Sequence, residues 1–342
     1  MKEGCPYGTH RVILPIGVLP QPADIIDNTM DIYDNEVLID VRTLNIDSAS
    51  FRQIKKQAKD DIKEIKKNII EIVSKAGKLK NPITGSGGML IGTVEKIGPA
   101  YNGSLKVGDR IATLVSLSLT PLVIDEILAI RPETSQVDIK GKAILFQSGI
   151  YAILPDDLPE NLALSVLDVA GAPAQTARLV EIGDTVVVIG GGGKSGLLCL
   201  YEAKKRVGIT GTVICIDRSE ESLKRARMLG LADEYLAADA TDAISIHNEI
   251  TKLTDGRLAD IVINCVNIEN TEMASILAAK NSGTVYFFSM ATSFTKAALG
   301  AEGVGKDVTM IIGNGYCKGH AEIALQILRE CEGLRSLLLI HN

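Results

Sequence analysis

The amino-acid sequence predicts an α/β protein in two parts, a β-rich half followed by a doubly wound parallel sheet. Three observations carry that prediction. The chain has 342 residues, more than one small core needs. It is 46% hydrophobic, with 32 glycines, 5 phenylalanines and no tryptophan. That aliphatic, Gly-rich balance suits buried Val/Ile strands joined by loops that approach a ligand closely. The hydrophobic pattern also changes near residue 153, from scattered short strands to a regular alternation of strand and helix.

In the first 150 residues, EVLIDVRTL (36–44), GGMLIGTVEKIG (87–98) and VGDRIATLV (107–115) read as strands punctuated by Gly, Pro and Asp. Between the first two lies one basic helix over about 52–80, free of Gly and Pro until Gly77. Its Ile54, Ala58, Ile62, Ile65, Ile69 and Ile72 recur at helical spacing and form one apolar face. Lys55, Lys56, Lys59, Lys63, Lys66 and Lys67 occupy the others and read as a solvated face, with no aromatic residue after Phe51.

Beyond the Pro-marked stretch 153–164, strands at 185–190, 212–217, 260–266, 283–289 and 307–314 are expected, with a weaker one near Tyr235. Helices are expected from Lys194, over Glu220–Leu229, Ala243–Leu253, Thr271–Lys280 and His320–Cys331. Apolar strands joined by crossover helices imply a parallel sheet covered on both faces. The first domain is therefore set at 1–150 and the second at 151–315.

A net charge of −6 argues against bulk nucleic-acid binding. No apolar run approaches the roughly 18 residues of a membrane span, and the first residues carry no signal-peptide pattern. The six cysteines are scattered without a CxxC pair, which points to a reducing, cytoplasmic setting. His247, His320 and His341 read as structural or surface residues.

Gly191, Gly193 and Gly196 form G-x-G-x-x-G between a strand and a helix, and Asp217 ends the next strand 21 residues after Gly196. In this context the pattern is a dinucleotide-binding turn. Gly191 allows the tight turn, Gly193 the close approach of a pyrophosphate, and Gly196 the packing of helix on strand. Lys194 and Ser195 open the helix, whose free N–H groups and positive end favour phosphate. A P-loop is excluded because Val188 stands where its first glycine must be. Asp217 is placed to bind the adenosine ribose and to repel a 2′-phosphate, which favours NAD, whereas Arg218 beside it leaves NADP open.

These features, with GMLIGTVEKIGPAYNGSLKVGDRIATL (88–114) and DIVINCVNIENTEMASILAAKNSGTVYFFS (260–289), resemble the medium-chain dehydrogenase/reductase superfamily along the whole chain. The resemblance implies a GroES-like domain and a Rossmann domain with the active site in the cleft between them. It also implies that residues 316–342 return to the first domain, that Thr176, Val266 and Ser289 approach the cofactor, and that the protein is a homodimer. Zinc-dependent members carry Cys and His ligands where this chain reads TLNIDSASF (43–51) and TGSGGMLIG (84–92), with Asp168 at the third position, so a zinc-free enzyme is expected.

A closer resemblance lies in residues 4–23, LNIDSASFRQI (44–54) and GGGGKSG (190–196). These stretches look like the zinc-independent diamino-acid dehydrogenases of lysine fermentation. That implies NAD-dependent oxidative deamination of a 3,5-diamino acid to an amino-oxo acid, NADH and ammonium. Such chemistry needs a base for the reacting ammonium, a carboxylate for the second one and a cation for the substrate carboxylate. Asp47 and Ser48 are the first candidates, against a reading as turn residues. Asp168 is another, against helix capping. Tyr7, His10 and Arg11 form a polar cluster in which Arg11 is a candidate for the substrate carboxylate, against surface pairing. Two other readings stay open: a zinc-free NADPH quinone or enoyl reductase, and a non-catalytic dinucleotide-binding sensor or scaffold.

Overall fold

The computed structural model describes residues 2–313 and 315–340, and the chain divides between Asp156 and Asp157. His341 and Asn314, at the end of the last expected strand, lie outside the described residues. No helix among those described is long and apolar enough to cross a membrane.

The first unit opens with a small antiparallel pair, β1 (Val12–Leu14) and β2 (Ile25–Ile26). Its main sheet contains β3 (Val37–Asn45), β4 (Met89–Ile97), β5 (Arg110–Thr113), β6 (Leu122–Arg131), β7 (Gln136–Leu145) and β8 (Tyr151–Ile153). The order is β6-β7-β3-β4-β5-β8, and each neighbouring pair is antiparallel. The expected strands appear as β3, β4 and β5. The hairpin of β6 and β7 is an addition, since LVIDEILAIR lacks a clean polar/apolar alternation.

The single basic helix is two. α1 (Ser48–Gln57) stops before Lys59 and Asp60, whose φ values of 51° and 64° are left-handed, and α2 (Ile62–Ala76) starts afresh. Asp61 caps α2 by accepting from the Lys63 N–H at 2.7 Å. The break turns Ile62 outwards, 41% exposed, while Ile54, Ile65, Ile69 and Val73 pack with Val37, Ile39 and Leu44 in one core. The lysines face solvent in part: Lys67 and Lys75 pair with Glu64 and Glu71, and Lys66 donates to the Ile127 carbonyl at 2.9 Å. After α2, Lys78 is wholly buried, and its ammonium donates to the carbonyls of Pro20 (2.5 Å), Gln21 (3.2 Å) and Ala23 (2.6 Å). Burial pushes it down to about 8.

The second unit begins with α3 (Glu160–Leu167) and α4 (Gly171–Leu179). Strands β9 (Thr185–Ile189), β10 (Thr212–Asp217) and β11 (Glu234–Ala237) follow, joined by α5 (Lys194–Val207) and α6 (Glu220–Met228). Then come α7 (Ala243–Leu253), β12 (Ala259–Asn264), α8 (Glu272–Ala278), β13 (Ala279–Phe287), α9 (Phe294–Gly303) and β14 (Val308–Ile312). The sheet order is β11-β10-β9-β12-β13-β14, every pairing parallel. Strand order reverses between β9 and β12, so a crevice opens beyond their carboxyl ends. A separate core of Val187, Ile214, Val262, Val285 and Phe287 fills this unit.

The expected return of residues 316–342 to the first domain does not occur among the described residues, 316–340. α10 (His320–Glu330) packs on α3, α4 and α5, and α11 (Glu332–Ile340) on α10 and α3, all in the second unit. The apolar face of α10, with Ala321, Ala324, Ile327 and Leu328 buried, is satisfied there. His320 is buried with them, and burial lowers its pKa.

Candidate nucleotide and substrate site

At the end of β9 the chain turns through the glycines at 190–193 into α5, and these glycines and Gly196 do not all lack a side chain for the same reason. Gly190 takes the left-handed conformation, φ 81°, so the tight turn falls there and not at Gly191. A Cβ on Gly191 would lie 2.5 Å from the Cys215 Sγ, and one on Gly192 2.5 Å from the Ser222 carbonyl oxygen. On Gly196 it would lie 2.1 Å from the Gly190 carbonyl oxygen, which is the close packing of helix on strand expected of that position. Gly193 differs. It is exposed, and a Cβ would meet only the Gly190 oxygen at 3.5 Å, so this glycine leaves open space where a ligand's phosphate would approach.

Gly193 is also the N-cap of α5 and has no side chain to cap with. The first-turn N–H groups of Lys194, Ser195 and Gly196 therefore have no helical partner, and no acidic residue sits in that turn. A cavity of about 330 Å³ opens beside it, at the carboxyl ends of β9, β10 and β11. Ile189, Gly190, Gly193, Asp217, Arg218 and Val266 all line it. Asp217 is fixed at the end of β10 by two backbone donors, the Gly192 N–H to Oδ2 at 3.0 Å and the Arg218 N–H to Oδ1 at 2.8 Å. Each oxygen keeps a free lone pair for a hydroxyl. The donors, the cradle and the carboxylate fit a dinucleotide.

Sequence reading missed part of this cavity. Arg225, Asp239 and Thr241 also line it. The Arg225 Nε is buried with no partner among the described residues, and the Thr241 N–H and hydroxyl hold the Asp239 carboxyl below its usual range. The strand before Asp239 is short and weakly apolar, but the rule that ligands gather at strand ends points to its following loop.

The remaining cofactor candidates are placed as follows. The Val266 N–H donates to Asn264 Oδ1 at 2.9 Å. Ser289, nearly buried, links Asn267 Oδ1 at 3.2 Å to the Ala291 N–H. Thr176 is wholly buried in α4, and its hydroxyl donates to the Ala172 carbonyl at 2.9 Å. Lys194 is brought to Asp168, Nζ to Oδ2 3.2 Å, so two residues singled out separately form one ion pair. Asp168 ends α3 and caps neither neighbouring helix through its side chain.

In the first unit, Asp47 is the N-cap of α1: its Oδ1 accepts from the Ser50 N–H at 2.9 Å. Its Oδ2 is buried and has no partner among the described residues, so half of this carboxylate is committed to the fold and half is not. Ser48 is exposed at the first position of the helix. The loop is pinned by Gly88, φ 91°, where a Cβ would lie 2.2 Å from the Asn45 carbonyl oxygen and 2.6 Å from the Asp47 nitrogen.

The N-terminal cluster is a correction. Arg11 is 0% exposed and all of its donors are taken. Nε and Nη2 grip both oxygens of Glu36 at 2.7 Å, Nη2 also reaches the Asp31 carbonyl at 2.9 Å, and Nη1 reaches those of Thr29 (2.8 Å) and Asp27 (3.4 Å). The fork is filled from within, so Arg11 is no clamp for a substrate carboxylate. His10 is tied as well. Nδ1 accepts from the Cys5 N–H at 2.9 Å, which leaves Nε2 to donate to Glu36 at 2.8 Å. Tyr7 stands in solvent, 63% exposed.

The residues present do not fit a zinc ion. Stretches 43–51 and 84–92 hold neither Cys nor His, and Asp168 is paired with Lys194.

Comparison with known proteins identifies the family. Residues 10–155 match the family described as L-erythro-3,5-diaminohexanoate dehydrogenase N-terminal domain, and residues 195–314 the family described as zinc-binding dehydrogenase. The chain is 62% identical over 336 residues to L-erythro-3,5-diaminohexanoate dehydrogenase of Acetoanaerobium sticklandii, covering 98% of each chain. It is 59% identical over 339 residues to the protein of that name from Fusobacterium nucleatum, again 98% of each. Among solved structures it is similar to the quinone oxidoreductase of Coxiella burnetii, with TM-score 0.54, 19% identity and 94% and 92% of the two chains covered. It is also similar to alcohol dehydrogenase TADH of Thermus sp. ATN1, with TM-score 0.53, 18% identity and 92% and 89% covered. At such identities the structural likeness speaks for the fold alone.

Proposed function

Because the chain belongs to the L-erythro-3,5-diaminohexanoate dehydrogenase family, within the medium-chain dehydrogenase/reductases, we propose that it oxidatively deaminates that diamino acid with NAD. The products are 5-amino-3-oxohexanoate, NADH and ammonium, a step of lysine fermentation carried out in the cytoplasm. The observation that carries the substrate is the identity of 62% along nearly the whole chain. The cofactor rests on the glycine turn and on Asp217 at the end of β10.

A bound nicotinamide ring supplies the hydride acceptor. The chain's own residues must hold the pyrophosphate, remove a proton from the reacting ammonium, and admit the water that releases ammonia. Lys194, Ser195 and Gly196 offer N–H groups for the first task. Asp47, through its unpartnered oxygen, and Asp168 are the carboxylates proposed for the ammonium groups, with Ser48 beside Asp47 as a proton relay. Asp217 selects NAD by accepting from the ribose hydroxyls and repelling a 2′-phosphate. A homodimer is also proposed. β14 is one edge of its sheet, and Ile312 on it, like Met290, Phe294 and Leu299, is exposed.

The test supplies NAD and L-erythro-3,5-diaminohexanoate to the purified protein and measures NADH and ammonium together. Equal yields are expected, with NAD preferred to NADP. NADH without ammonium would mean alcohol oxidation and would overturn the reading. Tighter binding of NADP would overturn the role of Asp217.

A further inference from the structure

Behind the glycine turn the second unit holds two thiols that the proposed reaction does not use. Cys199 lies on the buried face of α5, and Cys265 directly follows β12. Their sulfur atoms are 3.9 Å apart. The two residues are 66 positions apart in sequence, so the fold alone brings them together. A disulfide has its sulfurs about 2.05 Å apart, so closing this pair takes a movement of roughly 1.9 Å. Cys199 is 0% exposed, whereas Cys265 lines the nucleotide cavity beside Val266.

We propose that Cys199 and Cys265 form a modification site for small hydroperoxides, which enter by the nucleotide cavity and convert the pair to an intramolecular disulfide that weakens dinucleotide binding. The chemistry balances. With hydrogen peroxide, the Cys265 sulfur attacks one oxygen, the O–O bond breaks, and the other oxygen takes the thiol proton and leaves as water (as an alcohol from an alkyl hydroperoxide), giving a sulfenic acid. The Cys199 sulfur then attacks that sulfur and displaces a second water. Two thiols and one hydrogen peroxide become one disulfide and two waters. Each sulfur gives up one electron and the peroxide takes two.

The link to binding is geometric, and it rests on the nucleotide reading above; the chemistry of the pair does not. Cys199 comes three residues after Gly196, whose Cβ position is 2.1 Å from the Gly190 oxygen. Cys265 precedes Val266, whose Cγ2 is 2.8 Å from the Cβ position of Gly190. Both segments that the disulfide draws together thus pack against the turn, so moving them by that amount shifts it. The contact with Cys199 and burial push the Cys265 thiol up, which slows its oxidation. Cys5 is held below its ordinary value by the Thr9 hydroxyl and nearby backbone N–H groups, which favours its oxidation, so it is removed from the assay.

The experiment treats the Cys5→Ser protein with hydrogen peroxide, maps cross-linked peptides by mass spectrometry and titrates NADH by fluorescence. A peptide pair joined through Cys199 and Cys265, two hydrogens lighter, is expected. NADH affinity should fall by about tenfold or more and return with dithiothreitol. Saturating NAD should slow the cross-link, and Cys199→Ala and Cys265→Ala should each keep their NADH affinity through the treatment. Oxidation that leaves these two residues unlinked, or linked protein that binds NADH as before, would overturn the proposal. A reduced protein that never binds NADH would instead defeat the nucleotide reading, and the cross-link would still decide the fate of the dithiol.

Discussion

Gly193 and Gly196 stand on the same turn and differ in what a methyl group would meet. Gly196→Ala drives a carbon to within 2.1 Å of backbone and should lower stability by several kcal/mol or prevent folding, as a thermal melt would show. Gly193→Ala meets nothing closer than 3.5 Å and should fold normally, yet weaken NADH in a titration because its methyl enters the phosphate approach. Arg11 belongs to the opposite category, a residue that looks functional and is structural. Arg11→Ala leaves Glu36 buried without its charged partner, held only by His10 and the Tyr33 N–H, at a cost of about 3–5 kcal/mol in urea unfolding. The Arg11 and His10 hydrogen bonds outweigh burial and hold the Glu36 carboxyl down to about 2, against 4.5. Its stabilisation is therefore complete above pH 4.5 and lost as pH falls through 2, on the order of 3 kcal/mol. Glu36→Gln should flatten that acid limb. The sequence showed a polar cluster at residues 7–11 but not its burial, because the partner that fills the fork lies 25 residues on.

Among the elements, the alternating second half was legible almost strand by strand, since a parallel sheet writes itself as apolar runs separated by amphipathic helices. The glycine motif was legible for the same reason: its context is local. The misreadings share a cause, that local pattern omits what tertiary packing selects. Period alone joined α1 to α2, although Asp61 followed by Glu64 is a helix-start signature that lay in plain view. Asp61→Ala should cost about 1 kcal/mol in urea unfolding, and Lys63→Ala next to it less than about 0.5. The β6–β7 hairpin stayed hidden because its outer residues break the alternation, and α10 was placed by resemblance instead of by its own apolar face.

At the scale of the molecule, each unit is built around its own main core, and the nucleotide features belong wholly to the second. Saturating NADH should slow amide exchange most in residues 185–241, by about 2.7 kcal/mol at a hundredfold excess over Kd. Equal protection of β3, β4 and β7 would contradict that assignment. The first unit has its own device for holding a long loop, the Lys78 ammonium set among three carbonyl oxygens. It does what a bound potassium or calcium ion does elsewhere, gathering backbone oxygens around a positive centre, but this cation is part of the polymer. No chelator can strip it, dilution cannot release it, and competing salts cannot exchange with it. The loop at 20–23 thus has the order of a metal site with none of a metal site's dependence on supply.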